Sequence, residues 1–213
     1  MSGKRVLIAA ALVVAGTALT AALTPRQGHG ARAELRALSG EEQEPTRTLR
    51  GAICGVDRWP VKTLADPQAR HLDLTPHPAT VRYLGSLPAS PGGEDSRGPL
   101  ERRAFAVRAR LVGVKRETDS DYHLILAAGG ARMIAEMPLP ACTRATAADR
   151  PAMTRTRAAL DRAVGGPVGE SWIYPNLRVR VVGVLFFDVP HGQSGHARNY
   201  AELHPVIGFR VSS

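Results

Sequence analysis

The sequence predicts an all-β fold with one helix, and more specifically a five-stranded OB-like Greek-key barrel. Five segments in residues 104–213 have the composition of β-strands, and a helical stretch lies between the third and the fourth. A glycine interrupts the first and the fourth of these segments. Three strands, one helix and two further strands is the element order of the OB-fold. Another small barrel or an open sandwich with the same order is the alternative.

The first three strands are predicted from periodicity and turns. The first runs from about Ala104 to Val114, with apolar side chains at every second position and arginines between them, a period of two that indicates one buried face. Gly113 stands where this strand would bend or bulge. Tyr122–Ala127 predicts the second strand, and a Gly-Gly hairpin turn leads to the third, Ala131–Met137.

The second half of the predicted barrel begins with the helix. Asp149 can cap it, Pro151 suits its first turn, and Gly165-Gly166-Pro167 ends it. The fourth strand, Leu177–Phe187, again alternates valine with arginine and has a glycine in its middle. Glu202–Val211 predicts the fifth strand.

The first 33 residues are predicted to be a signal peptide or an N-terminal anchor. Lys4 and Arg5 precede an apolar run from Val6 to Leu23, the pattern of an export signal. Ala31-Arg32-Ala33 would suit a signal peptidase, but the run is also close to the length that spans a bilayer, so an uncleaved anchor stays open. In both cases we expect the rest of the chain to be extracellular or periplasmic.

The remaining residues are predicted to form a linker (34–50), an extended arm (51–103) and the barrel (104–213). The arm would contain a short helix over residues 80–87 and an exposed loop over residues 88–100, which is rich in Pro and Gly. The chain has 28 basic and 19 acidic residues, and four basic residues but no acid precede residue 34, which leaves 24 against 19, or +5. This mild excess fits a polyanionic partner, although an ordinary solvated surface also explains it.

Cys54 and Cys142 are the only cysteines. An even number of cysteines in an exported chain predicts a disulfide bond. The bond would close a long loop and tie the arm to the end of the third strand. Two free thiols or metal-ligating cysteines are the alternative.

A ligand-binding cleft is predicted from the OB architecture. OB-folds bind ligands across strands two and three, between the loop after strand one and the loop before strand five. Both loops carry residues that bind divalent metals or transfer protons, and Glu136 lies between them on strand three. The predicted cleft residues are Asp119, Asp121, His123, Arg132, Glu136, His191, His196, Asn199, Glu202 and His204.

A divalent metal is the one cofactor that the sequence suggests, with Asp121, Glu136 and His191 as candidate ligands. The histidine spacing matches no closed zinc motif, and turn chemistry by itself would explain Asp119 and Asp121. The sequence contains no GxSxG, HExxH or P-loop pattern and no nucleotide-binding glycine pattern, so no catalytic residue is assigned.

A basic patch is predicted where the first and fourth strands are neighbours. Arg108 and Arg110 on one strand, and Arg178 and Arg180 on the other, would point outward together. Four like charges this close would repel one another unless acids or a ligand neutralise them. Surface acids such as Glu101 and Glu170 would explain the patch without a ligand.

Two resemblances bear on function. CGVDRWPVKTLADP, DSDYHLIL, MIAEMPLPAC and FFDVPHGQSGHARNYAELHPV, within residues 51–210, resemble an uncharacterised family of exported bacterial OB-fold-like proteins, which implies no established activity. Residues 119–138 are similar to the core of the secreted thermonucleases (micrococcal nuclease family), calcium-dependent OB-fold phosphodiesterases. This second resemblance implies that Asp121 and Glu136 are metal ligands and that Arg132 is a phosphate clamp. Leu139 stands where that family has its general-base Glu.

The predicted function is therefore an extracytoplasmic OB-fold binding module for an anionic or oligomeric ligand. The partner would be a polyanion, either a glycan or a nucleic acid, or another protein. A metal-dependent phosphodiesterase, a thermonuclease-like nuclease, is the alternative. Contact with a membrane is expected only through the N-terminal segment, if it is not cleaved.

Overall fold

Short elements precede the barrel in the computed structural model, which describes residues 45–144 and 150–212. Two short strands pair as an antiparallel hairpin, and a third strand later runs parallel to the first barrel strand. Thr80 caps a short helix by accepting a hydrogen bond from the Tyr83 amide. These elements are β1 (Thr46–Leu49), β2 (Ala52–Gly55), α1 (Trp59–Lys62), a 3₁₀ turn (Ala69–His71), β3 (Asp73–Ala79) and α2 (Val81–Leu84).

Five strands then close a β-barrel. The barrel elements are β4 (Arg103–Arg116), β5 (Tyr122–Ala128), β6 (Ala131–Met137), a 3₁₀ turn (Pro140–Cys142), α3 (Arg150–Val164), β7 (Leu177–Phe187) and β8 (Ala201–Val211). The strand order is β4-β5-β6-β8-β7, and β7 pairs back onto β4. All neighbouring barrel strands are antiparallel except β6 and β8, which are parallel. The OB-like barrel with its helix between the third and fourth barrel strands is confirmed.

The barrel is filled by the apolar residues that alternate along its strands. Val107 and Leu111 of β4, Leu124 of β5, Ala135 of β6 and Leu203 of β8 belong to one fully buried cluster. Successive side chains of a strand point to opposite faces, so the residues between these point to the outside of the barrel. The outer face is therefore where the polar side chains of the same strands are found.

Two glycines bend the barrel strands as the sequence predicts. The β4–β5 register shifts between Leu111 and Gly113, and the β7–β8 register shifts on both sides of Gly183. A Cβ on Gly183 would lie 2.7 Å from the Cβ of Leu203, so a side chain would collide with the neighbouring strand at this point. The close approach of β7 and β8 depends on this glycine.

Some predictions fall outside the described residues, and some elements were not predicted. The signal or anchor segment, Asp149 and most of the linker lie outside the described residues, while β1 occupies the end of the stretch predicted as linker. β3 contains Pro76 and Pro78, which disfavour a strand in sequence analysis, but it lies beside β4 as a short added strand.

None of the helices in residues 45–144 and 150–212 is long and apolar enough to cross a membrane.

The predicted disulfide bond between Cys54 and Cys142 is confirmed. Both cysteines are buried beside Trp59, whose indole Nε1 donates a hydrogen bond to the Cys142 carbonyl. The bond joins β2 to the turn that follows β6 and so fixes β2 against the barrel. Such a bond is typical of proteins that fold in a non-reducing compartment.

Candidate functional site

A cluster of acidic and histidine side chains lies on the outer face of β5, β6 and β8. His123 of β5 is paired with Glu136 of β6, and the parallel pairing of Ala135 with Leu203 brings Glu136 beside His204 of β8. Asp121 lies just before β5. All four of these side chains are buried, as is Glu202. Together they form the acid–histidine cluster: Asp121, His123, Glu136, Glu202 and His204.

His204 is at the centre of the acid–histidine cluster. Its Nε2 lies 3.4 Å from Asp121 Oδ2, and its Nδ1 lies 3.1 Å from Glu136 Oε2 and 4.0 Å from Glu202 Oε2. The Phe186 ring packs against the imidazole with 5.6 Å between ring centroids. A histidine placed among three carboxylates could act as one ligand of a cation that they share.

Three members of the cluster have the geometry of a metal site. One ligand atom each from Asp121, Glu136 and His204 lie within 4.8 Å of one another. Carboxylate oxygen and imidazole nitrogen are ligands of several divalent metals, including zinc and manganese. This group could therefore hold a divalent metal ion.

His123 connects the cluster to the loops around it. Its Nδ1 lies 3.2 Å from Glu136 Oε1 and 3.4 Å from Glu117 Oε1, and its Nε2 lies 3.1 Å from the Ser194 carbonyl oxygen. The indole of Trp172 packs edge-on to the imidazole at 5.5 Å between centroids. The loop after β4 and the loop before β8 thus meet at His123, as expected for the binding face of an OB-fold.

The chain itself covers this face. The Arg58 guanidinium and the Lys62 ammonium lie over the Phe186 ring at 4.5 Å and 5.5 Å from its centroid. Gly55 is so close to Asp119 that a Cβ there would lie 3.1 Å from Asp119 Oδ2. Residues 55–62 therefore cover this side of the cluster.

A buried ion pair between Arg58 and Glu101 holds residues 55–62 in place. Arg58 donates hydrogen bonds to both carboxylate oxygens of Glu101, at 2.9 Å and 2.7 Å, and to the Phe187 carbonyl. Burial by itself raises the pKa of Glu101, but the hydrogen bonds from Arg58 and from the Phe187 and Gly98 amides outweigh it and lower that pKa below its usual value. Glu101 is thus a buried carboxylate that is ionised and fully engaged.

Arg157 of α3 is a buried cation that faces the cluster from the side of the helix. It donates to the carbonyl oxygens of Ser120 and Met137, and its guanidinium lies 3.4 Å from the centroid of the Tyr122 ring. Burial lowers the pKa of Arg157, and the charge of Asp121 opposes this shift. Arg157 and Asp121 therefore stabilise each other across the end of β5.

The predicted cleft residues divide into two groups. Asp119 accepts a hydrogen bond from the Asp121 amide and so belongs beside the cluster, together with the five cluster residues. The other four residues contact different partners in the described structure. His191 Nδ1 is 3.6 Å from Asp188 Oδ2, His196 stacks on Tyr200, Asn199 donates to the carbonyls of Leu84 and Leu87, and Arg132 is exposed on β6.

The structure adds a histidine to the candidate ligands. The structure groups Asp121 and Glu136 with His204, whereas His191 pairs with Asp188 at the start of the following loop. His204 is on a strand whose pairing with β6 fixes its position, and sequence spacing alone does not distinguish it from a loop histidine.

An arginine surface covers the outer face of β4, β7 and β8. Arg108 lies directly opposite Arg180, and Arg110 lies opposite Arg178, in the β4–β7 register. Arg180 is also opposite Arg210 of β8. These five residues form the arginine surface, in which Arg180 is half-buried and the other four are exposed. Arg108, Arg110 and Arg178 line a groove of about 560 Å³ beside the β5–β6 hairpin.

The acids expected to neutralise this surface are engaged elsewhere. Glu101 is buried in its pair with Arg58, and Glu170 pairs with Arg116 at 3.1 Å. In residues 45–144 and 150–212, none of the five arginines lies within 4.0 Å of a carboxylate. Arg110 donates to the Asn176 carbonyl and side-chain oxygens, which are neutral.

Comparison with known proteins adds little. No family model matches the chain, and no curated protein matches it. Among solved structures, the chain is similar to a "putative aspartyl-tRNA synthetase" from Leishmania major Friedlin, with a TM-score of 0.38 and 12% identity over 64% of this chain. The match spans only 21% of that protein. So distant a likeness assigns no activity to this chain.

Arg210 was missed by sequence analysis. The signal was present, because the OB strand order places the fifth strand beside the fourth and Arg210 belongs to the predicted fifth strand. No sequence signal predicted that Lys62 is buried over the cluster. A lysine is rarely fully buried, and the burial of Lys62 depends on the path of residues 55–62.

Proposed function

We propose that this protein is an exported OB-type binding module that holds an anionic polymer on its arginine surface. The observation that carries the proposal is a set of five arginines on three adjacent strands, none of them ion-paired with a described carboxylate. Export, as in the bacterial family that the sequence resembles, is part of the proposal, and a disulfide-bonded fold is compatible with it.

Electrostatics explains why such a surface favours a polymer. Like charges directly opposite each other on paired strands are destabilising, and this surface contains three such oppositions. An extended polyanion neutralises them together and releases its own counterions, so binding should weaken steeply as salt rises. A single small anion would neutralise only one pair.

Heparin-affinity chromatography tests the proposal with two charge-matched variants. Arg178→Ala/Arg210→Ala removes two charges from the arginine surface, and Arg155→Ala/Arg162→Ala removes two exposed charges from α3. The proposal predicts that the first variant elutes at clearly lower salt than the wild type and that the second elutes close to it. Equal elution of the two variants would show that net charge alone determines retention and would contradict the proposal.

A second candidate function is binding of a divalent metal ion by Asp121, Glu136 and His204, which the grouping of their ligand atoms favours. Four buried carboxylates, Asp119, Asp121, Glu136 and Glu202, converge here beside two buried histidines, and carboxylate and imidazole are common ligands of divalent metals. Mixed oxygen and nitrogen ligands fit zinc or manganese better than calcium. Because the three ligands lie just before β5, on β6 and on β8, the ion would hold these three strands together.

The same geometry gives little support to the phosphodiesterase alternative. The three candidate ligands are at most 4% exposed, so a polymeric substrate does not reach them in this conformation. Arg132, the expected phosphate clamp, is exposed on β6 and is not part of the group. We therefore favour a structural role for the ion over a catalytic one.

Metal content measured by mass spectrometry after incubation with zinc or manganese and gel filtration tests this second candidate. We expect about one ion per chain in the wild type and in Glu117→Gln, which changes a neighbouring carboxylate outside the group. Glu136→Gln should lose the ion. Zinc should therefore raise the melting temperature of the wild type and should not raise that of Glu136→Gln. A wild type without metal, or a Glu136→Gln variant that retains it, would exclude the site.

A further inference from the structure

We infer that the polymer is a single-stranded nucleic acid, and that Trp172 and Tyr174 form a base-stacking platform at one end of the arginine surface. This inference rests on the proposed function and adds to it the class of ligand. Neither aromatic residue was part of the predicted cleft or of the predicted basic patch.

The platform lies on the same strand pair as the arginines. Ile173 and Val114 exchange backbone hydrogen bonds of 3.0 Å, so the segment before β7 already runs alongside β4. Arg110 of the arginine surface donates to Asn176, two residues after Tyr174. The aromatic residues and the arginines therefore follow one another along a single track.

The platform is held in place before any ligand binds. The Trp172 and Tyr174 rings are nearly parallel, with 17° between their planes and 6.4 Å between their centroids. His123 packs edge-on against Trp172, and the Lys115 ammonium lies 4.9 Å from the centre of the indole. Gly113 lets the indole approach the strand, since a Cβ there would lie 3.2 Å from the ring. Tyr174 is 72% exposed, so one aromatic face is open to solvent.

The dimensions fit several nucleotides. The paired part of β4, from Val114 opposite Ile173 to Arg108 opposite Arg180, spans about 20 Å at the rise of a β-strand. Arginines on one face of a strand are about 6.6 Å apart along it, a distance that an extended phosphodiester backbone can match with successive phosphates. OB-folds that bind single strands accommodate on the order of 4 to 16 nucleotides, so the track is long enough for one such site.

The combination of charge and aromatic surface distinguishes nucleic acid from an anionic glycan. Every nucleotide supplies a phosphate for an arginine and a flat base for an aromatic side chain, and base–aromatic stacking adds affinity without sequence preference. A sulfated glycan satisfies the arginines equally well but has no planar π-face to stack on Tyr174. A double helix keeps its bases stacked inside, so it too would leave the platform unused.

Fluorescence anisotropy with three labelled probes tests the inference. The probes are an oligodeoxythymidylate of about 15 nucleotides, an abasic phosphodiester of the same length, and a heparin fragment. For Tyr174→Ala we expect a loss of about 5- to 100-fold in affinity for the oligodeoxythymidylate and no change for the other two probes. Tyr174→Phe should retain wild-type affinity, because it keeps the ring.

The outcomes separate this inference from the proposed function. If the wild type binds all three probes and Arg178→Ala/Arg210→Ala weakens all three, while Tyr174→Ala changes none, the arginine surface stands and the nucleic-acid inference is wrong. If the wild type binds none of the probes at low salt, the proposed function itself fails. Equal affinity of the wild type for the abasic and the base-carrying probe would also overturn the inference.

Discussion

Arg108 of β4 and Arg180 of β7 lie directly opposite each other on paired antiparallel strands, and Arg210 lies on the other side of Arg180. Arg180 is thus a half-buried cation with a like charge on each side. A fold optimised for stability alone would place an acid or a neutral residue at this position. The proposed function accounts for this arrangement, because a binding surface can require charges that lower stability.

The first prediction is that Arg180→Gln stabilises the protein while weakening its binding. Removing the central charge relieves repulsion on both sides, and we expect the free energy of unfolding to rise by up to about 1 kcal/mol at low salt. The gain should disappear at about 1 M salt, where surface charges are screened. Urea unfolding at both salt concentrations measures it, with Arg155→Gln as the control. A less stable Arg180→Gln at low salt would argue against repulsion.

The second prediction concerns pH. The pKa of Glu101 is lowered in the folded protein, so its contribution to stability is complete above the unfolded-state pKa of about 4.3 and is lost as the pH falls through the lower folded-state pKa. In Glu101→Gln this acid-dependent loss should be absent, and at pH 7 the variant should be less stable by about 3–5 kcal/mol because Arg58 then lacks its ionic partner. Unfolding free energies between pH 3 and pH 7 decide the matter. The same slope in both proteins would remove Glu101 as the source.

The third prediction is that the disulfide bond is a major source of stability. It joins residues 88 apart in sequence, and closing a loop of that length is worth on the order of 4 kcal/mol in the chain-entropy model. Cys54→Ser/Cys142→Ser should lower the free energy of unfolding by about that amount. Intact-mass measurement after alkylation under denaturing conditions is the control, and the unreduced wild type should take up no label. Two labelled thiols would contradict the bond itself.

The fourth prediction tests the bend in β7. A methyl group on Gly183 would collide with Leu203, so Gly183→Ala should cost about 1–3 kcal/mol. Gly169→Ala is the matched control, because a Cβ there meets nothing within 4 Å. We expect that control to be neutral or slightly more stable than the wild type. Equal stabilities of the two variants would mean that β8 moves at Leu203 to accommodate the methyl group, and would contradict the prediction.

Local patterns were sufficient to predict the barrel but not its covering segment. The alternation of valine and arginine in residues 177–187 specifies both the strand and its buried face, and Gly183 marks its bend. β3 was missed because its two prolines disfavour a strand and its pairing with β4 is remote in sequence. The burial of Lys62, which lies 3.9 Å from Asp188, likewise depends on contacts between residues that are remote in sequence.

The candidate site shows the same limit. Asp121 and Glu136 could be predicted as neighbours, because the end of one strand and the outer face of the next meet in an OB-fold. The position of His204 beside Glu136 depends on the parallel pairing of β6 with β8, which no local pattern encodes. Arg210 could have been found by applying strand order to the face on which each arginine lies.

Arginine-specific modification is the most direct measurement of the central claim. The protein is treated with phenylglyoxal, alone and with saturating heparin at low salt, and the modified positions are located by mass spectrometry. We predict that heparin protects Arg108, Arg110, Arg178, Arg180 and Arg210. Arg155 and Arg162, exposed on α3, should react equally in both samples. Protection that is uniform over all exposed arginines, or that leaves the five arginines fully reactive, would contradict the account.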